Sequence, residues 1–188
     1  MNKTALIVVD AQRDFCAGGS LAVPDGDAVI PPINALIKKF QADGKLIFLT
    51  RDWHPADHSS FADQGGLWPP HCVAGATGAA FHPDLLACPE ATVVSKATER
   101  EGDAYSGFDG TLLRAQLLAA EVTDVLICGL ASDYCVKATA IDAVKAGLAT
   151  TVLTDAIRGV DVQPGDSQLA LDEMKAAGVK LALSDSFI

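Results

Sequence analysis

Six short apolar runs, separated by longer stretches with a helical pattern, constrain the fold more than any other feature of this sequence. Each run is continuous rather than alternating, which is typical of strands buried on both faces of a parallel sheet. The runs are ALIVV (5–9), LIFLT (46–50), TVVSK (92–96), VLICG (125–129), TVLTD (151–155) and KLALS (180–184). This strand–helix alternation predicts an α/β fold with three α/β/α layers around a six-stranded, mainly parallel, Rossmann-like sheet.

Length, charge and cysteine usage narrow the class of protein further. A chain of 188 residues with no linker or repeat fits a single domain over 1–188. The net charge of -10, with no basic run, argues against a nucleic-acid partner. No signal-peptide core begins the chain, and no apolar run is long enough to span a membrane. The five cysteines are scattered, which favours reduced thiols in a cytoplasm. The sequence leaves open whether the chain forms a homo-oligomer.

Polar and reactive side chains follow four of the runs, where the predicted strands end. Asp10 follows the first run, the segment RDWH the second and GLASDYC the fourth, while Lys96 closes the third. In open parallel sheets, ligands bind outside the carboxyl ends of the strands. We therefore expect a functional site at this edge of the sheet.

Cys135 lies in the fourth of these segments, GLASDYCV (129–136). Ser132 or Asp133 can cap a following helix by accepting hydrogen bonds from its first free amides. Cys135 would then lie in the first helical turn, where the helix dipole lowers the pKa of a thiol and free amides can stabilise an oxyanion. These features would suit a nucleophile, but the start of a helix can equally hold an inert thiol. A buried structural cysteine, as we infer for Cys128, is the alternative.

Asp10 and Lys96 each have an ordinary explanation, as a carboxylate that caps a turn and as a solvated lysine. A partly buried Asp10 beside a thiol could instead carry its proton as a general base and acid. Lys96 beside Asp10 would stabilise both the carboxylate and a thiolate. With Cys135, these residues would form a cysteine version of the nucleophilic triad.

Residues 51–85 form a long segment without helical or strand periodicity, and such segments in compact domains are usually functional or disordered. Asp52 and His54 alternate along an extended chain, so that both side chains project the same way. With His71 they offer one carboxylate and two imidazoles, a set that suits zinc, iron or manganese. His58 could be a fourth ligand or support the others. Scattered loop histidines are the alternative explanation.

Three aromatic residues also lie in predicted loops: Phe15, Trp68 and Tyr105. They could simply pack, or they could form an aromatic box around a flat ring, as ligand pockets often do. His82, in the segment FHPDL, looks structural.

Taken together, these segments resemble the nicotinamidase/pyrazinamidase family within the isochorismatase-like cysteine hydrolases. The segment LIVVDAQRDFCAGGSLAV (6–23) is similar to the family's N-terminal signature. RDWHPADHSSF and LWPPHCVAGATGAAFHP are similar to its metal loop, and SKATEREGDAYSGFDGT (95–111) and GLASDYCV to its lysine and cysteine motifs. The resemblance runs nearly from end to end of the chain.

The resemblance implies an isochorismatase-type fold and hydrolysis of nicotinamide to nicotinate and ammonia through a cysteine thioester, in NAD salvage, with pyrazinamide as a further substrate. It implies one divalent metal ion, zinc first and iron or manganese as alternatives, and a non-proline cis peptide between Leu130 and Ala131. The implied residues are Asp10, Lys96 and Cys135 for catalysis; Asp52, His54 and His71, with His58, for the metal; Phe15, Trp68 and Tyr105 for the ring; and the amides of Ala131 and Cys135 for the oxyanion.

Three other functions stay open at the level of sequence. Another isochorismatase-like or N-carbamoyl amidase would act on a different small amide, but such enzymes generally lack the metal loop. A metal-binding or ligand-sequestering protein would show no turnover. A redox protein could use Cys135, although no resolving cysteine lies near it in the sequence.

Overall fold

A computed structural model describes residues 3–188 and has a six-stranded sheet at its centre. The strands lie in the order β3-β2-β1-β4-β5-β6, and all five neighbouring pairs are parallel. Their bounds are Thr4–Val9 (β1), Ile47–Asp52 (β2), Thr92–Lys96 (β3), Asp124–Leu130 (β4), Ala149–Arg158 (β5) and Lys180–Ala182 (β6). The prediction of a six-stranded parallel sheet is thus confirmed.

Four α-helices within the described residues cover the two faces of this sheet: Ile30–Ala42 (α1), Leu113–Ala119 (α2), Lys137–Lys145 (α3) and Asp166–Ala176 (α4). Alternate residues of β1 serve the two sides. Leu6 and Val8 belong to the apolar core that includes α1, whereas Ile7 belongs to the core that includes α2, α3 and α4. Both faces are therefore buried, which explains the continuous apolar runs and gives the three predicted layers.

Two features of the strands differ from the sequence prediction. β5 extends to Arg158, because its far end pairs with Gly129 and Leu130 of β4 after a shift in register. β2 continues to Asp52, so this residue belongs to the strand rather than to the loop that follows. Between residues 3 and 188, no helix combines the length and apolar character that a membrane crossing requires.

Candidate active site

The carboxyl ends of four neighbouring strands bring together the charged and reactive residues predicted from the sequence. The Lys96 ammonium lies at the centre and is 1% exposed. Its Nζ is 3.0 Å from Oδ2 of Asp10, forms an ion pair with Oδ1 of Asp52, and lies 3.4 Å from Sγ of Cys135. It also donates to the Ala104 carbonyl at 3.1 Å. One buried cation therefore contacts both carboxylates and the thiol.

Asp10 directly follows β1 and has a φ of 46°, a left-handed conformation that non-glycine residues rarely adopt. Such residues cluster at functional sites. Its side chain is fully buried, where the sequence had suggested partial burial. Burial raises the pKa of the Asp10 carboxyl above its ordinary value, and the Asp52 carboxylate adds to the rise, although the Lys96 ammonium opposes it. A raised pKa suits a group that must accept a proton and give it back.

Cys135 lies in a single π-helical turn, Ser132–Val136, between β4 and α3. A cis peptide joins Leu130 to Ala131 just before this turn, at the position that the resemblance implied. The predicted capping by Ser132 or Asp133 is wrong, because neither side chain bonds the amides of the turn. The buried Asp133 carboxylate instead accepts hydrogen bonds from the backbone N–H groups of Val160 and Asp161, at 3.0 and 2.8 Å.

The expected lowering of the Cys135 pKa is also wrong for this site. Burial raises the pKa of the thiol well above its ordinary value, and Asp10 raises it further, while Lys96 acts in the opposite direction. The thiol therefore keeps its proton at neutral pH, and a nucleophilic thiolate has to be generated by transferring that proton to a neighbouring base.

Asp52, His54 and His71 form a compact cluster whose three ligand atoms all lie within 4.8 Å of one another. Oδ2 of Asp52 is 3.7 Å from Nε2 of His54 and 4.0 Å from Nε2 of His71. In both histidines Nδ1 faces a backbone carbonyl, of Ala97 at 3.2 Å and of Pro69 at 2.8 Å. Nδ1 therefore carries the hydrogen, and the lone pair of each Nε2 points into the cluster, as in most metal-binding histidines.

The buried Nε2 of His54 has no hydrogen-bond partner within residues 3–188, so its lone pair is available to a cation. One carboxylate oxygen and two imidazole nitrogens are a suitable donor set for zinc and for several other divalent metals. The residues present thus fit a metal site.

Hydrogen bonds hold the long segment after β2 in place and thereby position the residues of the cluster. His54 donates its N–H to the Cys72 carbonyl and forms an isolated bridge with Val73, which draws His71 towards it. The Cys72 N–H donates to the Asp14 carboxylate at 2.7 Å. Gln12, which is fully buried, bonds both the N–H and the carbonyl of Asp52 at 2.8 Å. The roles of Gln12 and Asp14 could not be predicted from the sequence, because they depend on distant backbone groups.

His58 lies next to this cluster but not among its three mutually close ligand atoms. Its ring packs on the His54 ring with centroids 4.3 Å apart, and its Nδ1 is 2.7 Å from the Ser60 hydroxyl. The buried Nε2 has no partner in the described part of the chain. Whether His58 binds the metal or supports His54 stays a prediction.

The predicted aromatic residues line one cavity, to which Cys135 also contributes. Nε1 of Trp68 donates to the Tyr105 hydroxyl at 3.1 Å, and Phe15 lies on the same cavity with its ring 5.6 Å from that of His71. Three further lining residues were missed: Leu21, Tyr134 and Val160. Only Tyr134 had a signal in the sequence, because it directly precedes Cys135.

A second group of metal-ligating side chains, Cys16, Asp27 and His82, lies elsewhere in the fold. The Nδ1 of His82 accepts the Asp84 N–H at 3.2 Å, so its hydrogen must be on Nε2, which is 3.0 Å from the Asp27 carboxylate. Because this imidazole is already committed to a hydrogen bond, we interpret the group as structural.

Three comparisons with known proteins point to the same family. The isochorismatase domain model matches residues 4–186. The chain is 42% identical over 202 residues to the nicotinamidase of Escherichia coli, covering 96% of this chain and 95% of that protein. It is similar to the pyrazinamidase of Pyrococcus horikoshii solved in complex with zinc (TM-score 0.92, 49% identity, coverage 96% and 99%). It is also similar to the L. infantum protein solved in complex with nicotinate (TM-score 0.92, 36% identity, coverage 100% and 96%).

Proposed function

The chain belongs to the isochorismatase domain family, and on this premise we propose that it is a nicotinamidase that hydrolyses nicotinamide to nicotinate and ammonia. Pyrazinamide is a second expected substrate, because a related pyrazinamidase shares the fold over nearly its whole length. The observation that carries the proposal is the Asp52, His54 and His71 cluster beside Cys135 and the aromatic cavity. This combination offers one contact for a ring nitrogen and another for a carboxamide.

Formation of the thioester begins with proton transfer from Sγ of Cys135 to the Asp10 carboxylate. The thiolate attacks the carboxamide carbon, a carbon–sulfur bond forms, and the carbonyl electron pair moves to oxygen. Backbone amides of Ala131 and Cys135 would stabilise this oxyanion, and losing one such donor typically costs about 10²–10³ in rate. Asp10 then gives its proton to the amide nitrogen, the carbon–nitrogen bond breaks and ammonia leaves.

Hydrolysis of the thioester reverses the roles of the same groups. Asp10 takes a proton from water, the hydroxide attacks the thioester carbonyl, and the carbon–sulfur bond breaks. The Cys135 thiolate recovers its proton from Asp10, and the acid product leaves as nicotinate after losing its own proton to solvent. The buried Lys96 ammonium balances the charge of Asp10 and of the transient thiolate throughout. Burial alone would lower the pKa of Lys96, but the Asp10 and Asp52 carboxylates raise it well above its ordinary value, so it stays charged.

Asp52, His54 and His71 would hold one divalent metal ion. A zinc complex is known for the related P. horikoshii enzyme, which supports zinc here, and the same donors also accept iron or manganese. When bound, the ion supplies a Lewis-acidic contact for the pyridine nitrogen. Phe15, Trp68 and Tyr105 would enclose the ring, and His58 would bind the metal or support His54.

We expect the purified protein to release ammonia from nicotinamide, and incubation with a chelator to remove most of this activity. Benzamide is the matched control, because it has the same carboxamide but no ring nitrogen. It should react far more slowly than nicotinamide. Absence of ammonia release with a metal-replete protein would contradict the proposal and favour a binding protein or an amidase with another substrate.

The double variant His54→Ala/His71→Ala should bind almost no metal, because only the Asp52 carboxylate of the cluster remains. Elemental analysis of the dialysed protein measures this directly. His82→Ala is the control, since His82 belongs to the second group and should leave the metal content unchanged. A double variant with the wild-type metal content would show that the ligand assignment is wrong.

A further inference from the structure

Thr50 is a buried polar residue for which the reaction described above has no role. It lies near the end of β2, and its side chain is fully buried. Its Oγ1 is 2.7 Å from Oδ1 of Asp10 and 3.3 Å from the Asp10 backbone nitrogen. Because the backbone nitrogen is itself a donor, the single hydroxyl hydrogen of Thr50 goes to Oδ1.

The two oxygens of the Asp10 carboxylate are consequently not equivalent. Oδ1 is fixed by the Thr50 hydroxyl, whereas the buried Oδ2 has no aligned hydrogen bond among residues 3–188. Oδ2 is 3.0 Å from the Lys96 ammonium, and Asp10 and Cys135 offer atoms within 4.8 Å of each other. Because Oδ1 is already held by the Thr50 hydroxyl, Oδ2 is the oxygen left free to exchange a proton with the thiol.

We propose that Thr50 is a positioning residue that holds Oδ1 of Asp10 so that Oδ2 faces Cys135. Rotation about the last bond of an aspartate side chain has a broad, roughly two-fold profile, so without an anchor the carboxylate can turn away. A misplacement of about 1 Å can cost about 10²-fold in rate. The inference rests on the proposed function for its reaction, but the placement of Asp10 can be tested without nicotinamide.

The first test compares kcat and KM for nicotinamide in Thr50→Val, Thr50→Ser and Thr50→Ala. Thr50→Val should lower kcat by about 10–100-fold with KM within about two-fold, because the reacting group and not the substrate is misplaced. Thr50→Ser, which restores the hydroxyl, should stay within about three-fold of the wild type. Thr150→Val is the matched control, since Thr150 is a buried threonine whose hydroxyl bonds the Leu148 carbonyl away from the site.

The second test measures alkylation of Cys135 by iodoacetamide at neutral pH, followed by mass spectrometry of its peptide. This reaction needs removal of the same proton but no substrate. We expect it to be about ten-fold slower in Thr50→Val and Thr50→Ala, and close to the wild-type rate in Thr50→Ser and Thr150→Val.

The outcomes separate the two proposals. A wild-type protein that does not hydrolyse nicotinamide, but whose Cys135 alkylation depends on the Thr50 hydroxyl, would overturn the function and leave the positioning role in place. Equal alkylation and equal kcat in Thr50→Ala and Thr50→Ser would overturn the positioning role. The Ser and Ala pair differs by one oxygen, so the comparison stands even if thermal denaturation shows that Thr50→Val does not fold.

Discussion

Replacement of Cys135 by alanine is expected to abolish turnover of nicotinamide, with a loss of about 10⁴-fold or more in kcat. Without Sγ no carbon–sulfur bond can form, so the thioester route is closed, and Asp10 has no thiol proton to accept. The variant should still bind metal and nicotinamide, because the Asp52, His54 and His71 cluster does not include the thiol. Ammonia release, elemental analysis and calorimetric titration with nicotinamide test the three parts of this prediction.

The matched control is Cys128→Ala, because Cys128 is also buried but lies within β4, with its Sγ 3.8 Å from the Ile7 carbonyl. We expect that variant to lose about 1 kcal/mol of folding stability and to keep its turnover. If Cys135→Ala retained amidase activity above the level of the control without enzyme, water would have to attack the amide directly and the covalent mechanism would be wrong.

Residues at strand ends could be predicted from the sequence because parallel topology brings those ends to one edge of the sheet. Asp10, Lys96 and Cys135 lie in separate parts of the sequence, yet Asp10 directly follows an apolar run, Lys96 ends one, and Cys135 lies in the short segment after a third. The structure brings Asp10 and Cys135 within contact distance of the Lys96 ammonium. The pattern of apolar runs is thus enough to predict that these side chains lie at one edge of the sheet, once the strands are known to be parallel.

Residues that act through distant backbone or side-chain groups could not be predicted. Thr50 looks like any β-branched residue of a strand, and nothing in LIFLT indicates that its hydroxyl meets Asp10 across the sheet. Asp133 has the sequence context of a helix cap, but the N–H groups of Val160 and Asp161 compete for its carboxylate. The raised pKa of Cys135 could not be predicted for the same reason. Burial, which only the tertiary structure determines, outweighs the effect of a nearby helix.

Lys96→Met is expected to remove turnover and, unlike Cys135→Ala, to destabilise the fold severely. The ammonium is fully buried between Asp10 and Asp52, so its loss leaves two carboxylates close together in the interior without a cation. Breaking a buried ion pair in this way typically costs about 3–5 kcal/mol of unfolding free energy. Urea denaturation of the metal-free protein measures this loss without stabilisation of Asp52 by a bound ion.

Lys137→Met is the control, because the Lys137–Glu173 ion pair is close, at 2.8 Å, but partly exposed. It should cost less than about 1 kcal/mol. Equal losses in the two variants would contradict the assignment of Lys96 as the buried counter-charge of the site. Adding Asp10→Asn to Lys96→Met should recover part of the stability, since one buried charge is removed, but no turnover, since the proton acceptor is gone.

The loss of stability in Lys96→Met should also depend on pH. Burial raises the pKa of Asp10 even with Lys96 in place, and Lys96 is a principal group that holds the pKa of Asp52 below its ordinary value against the effect of burial. In Lys96→Met both carboxyls should therefore have pKa values above those of the unfolded chain, so the folded state binds more protons. Its stability relative to the wild type should then rise as the pH falls through the raised pKa values, and the full penalty should appear above them. A constant difference between pH 5 and 8 would mean that the two carboxylates are compensated by something other than Lys96.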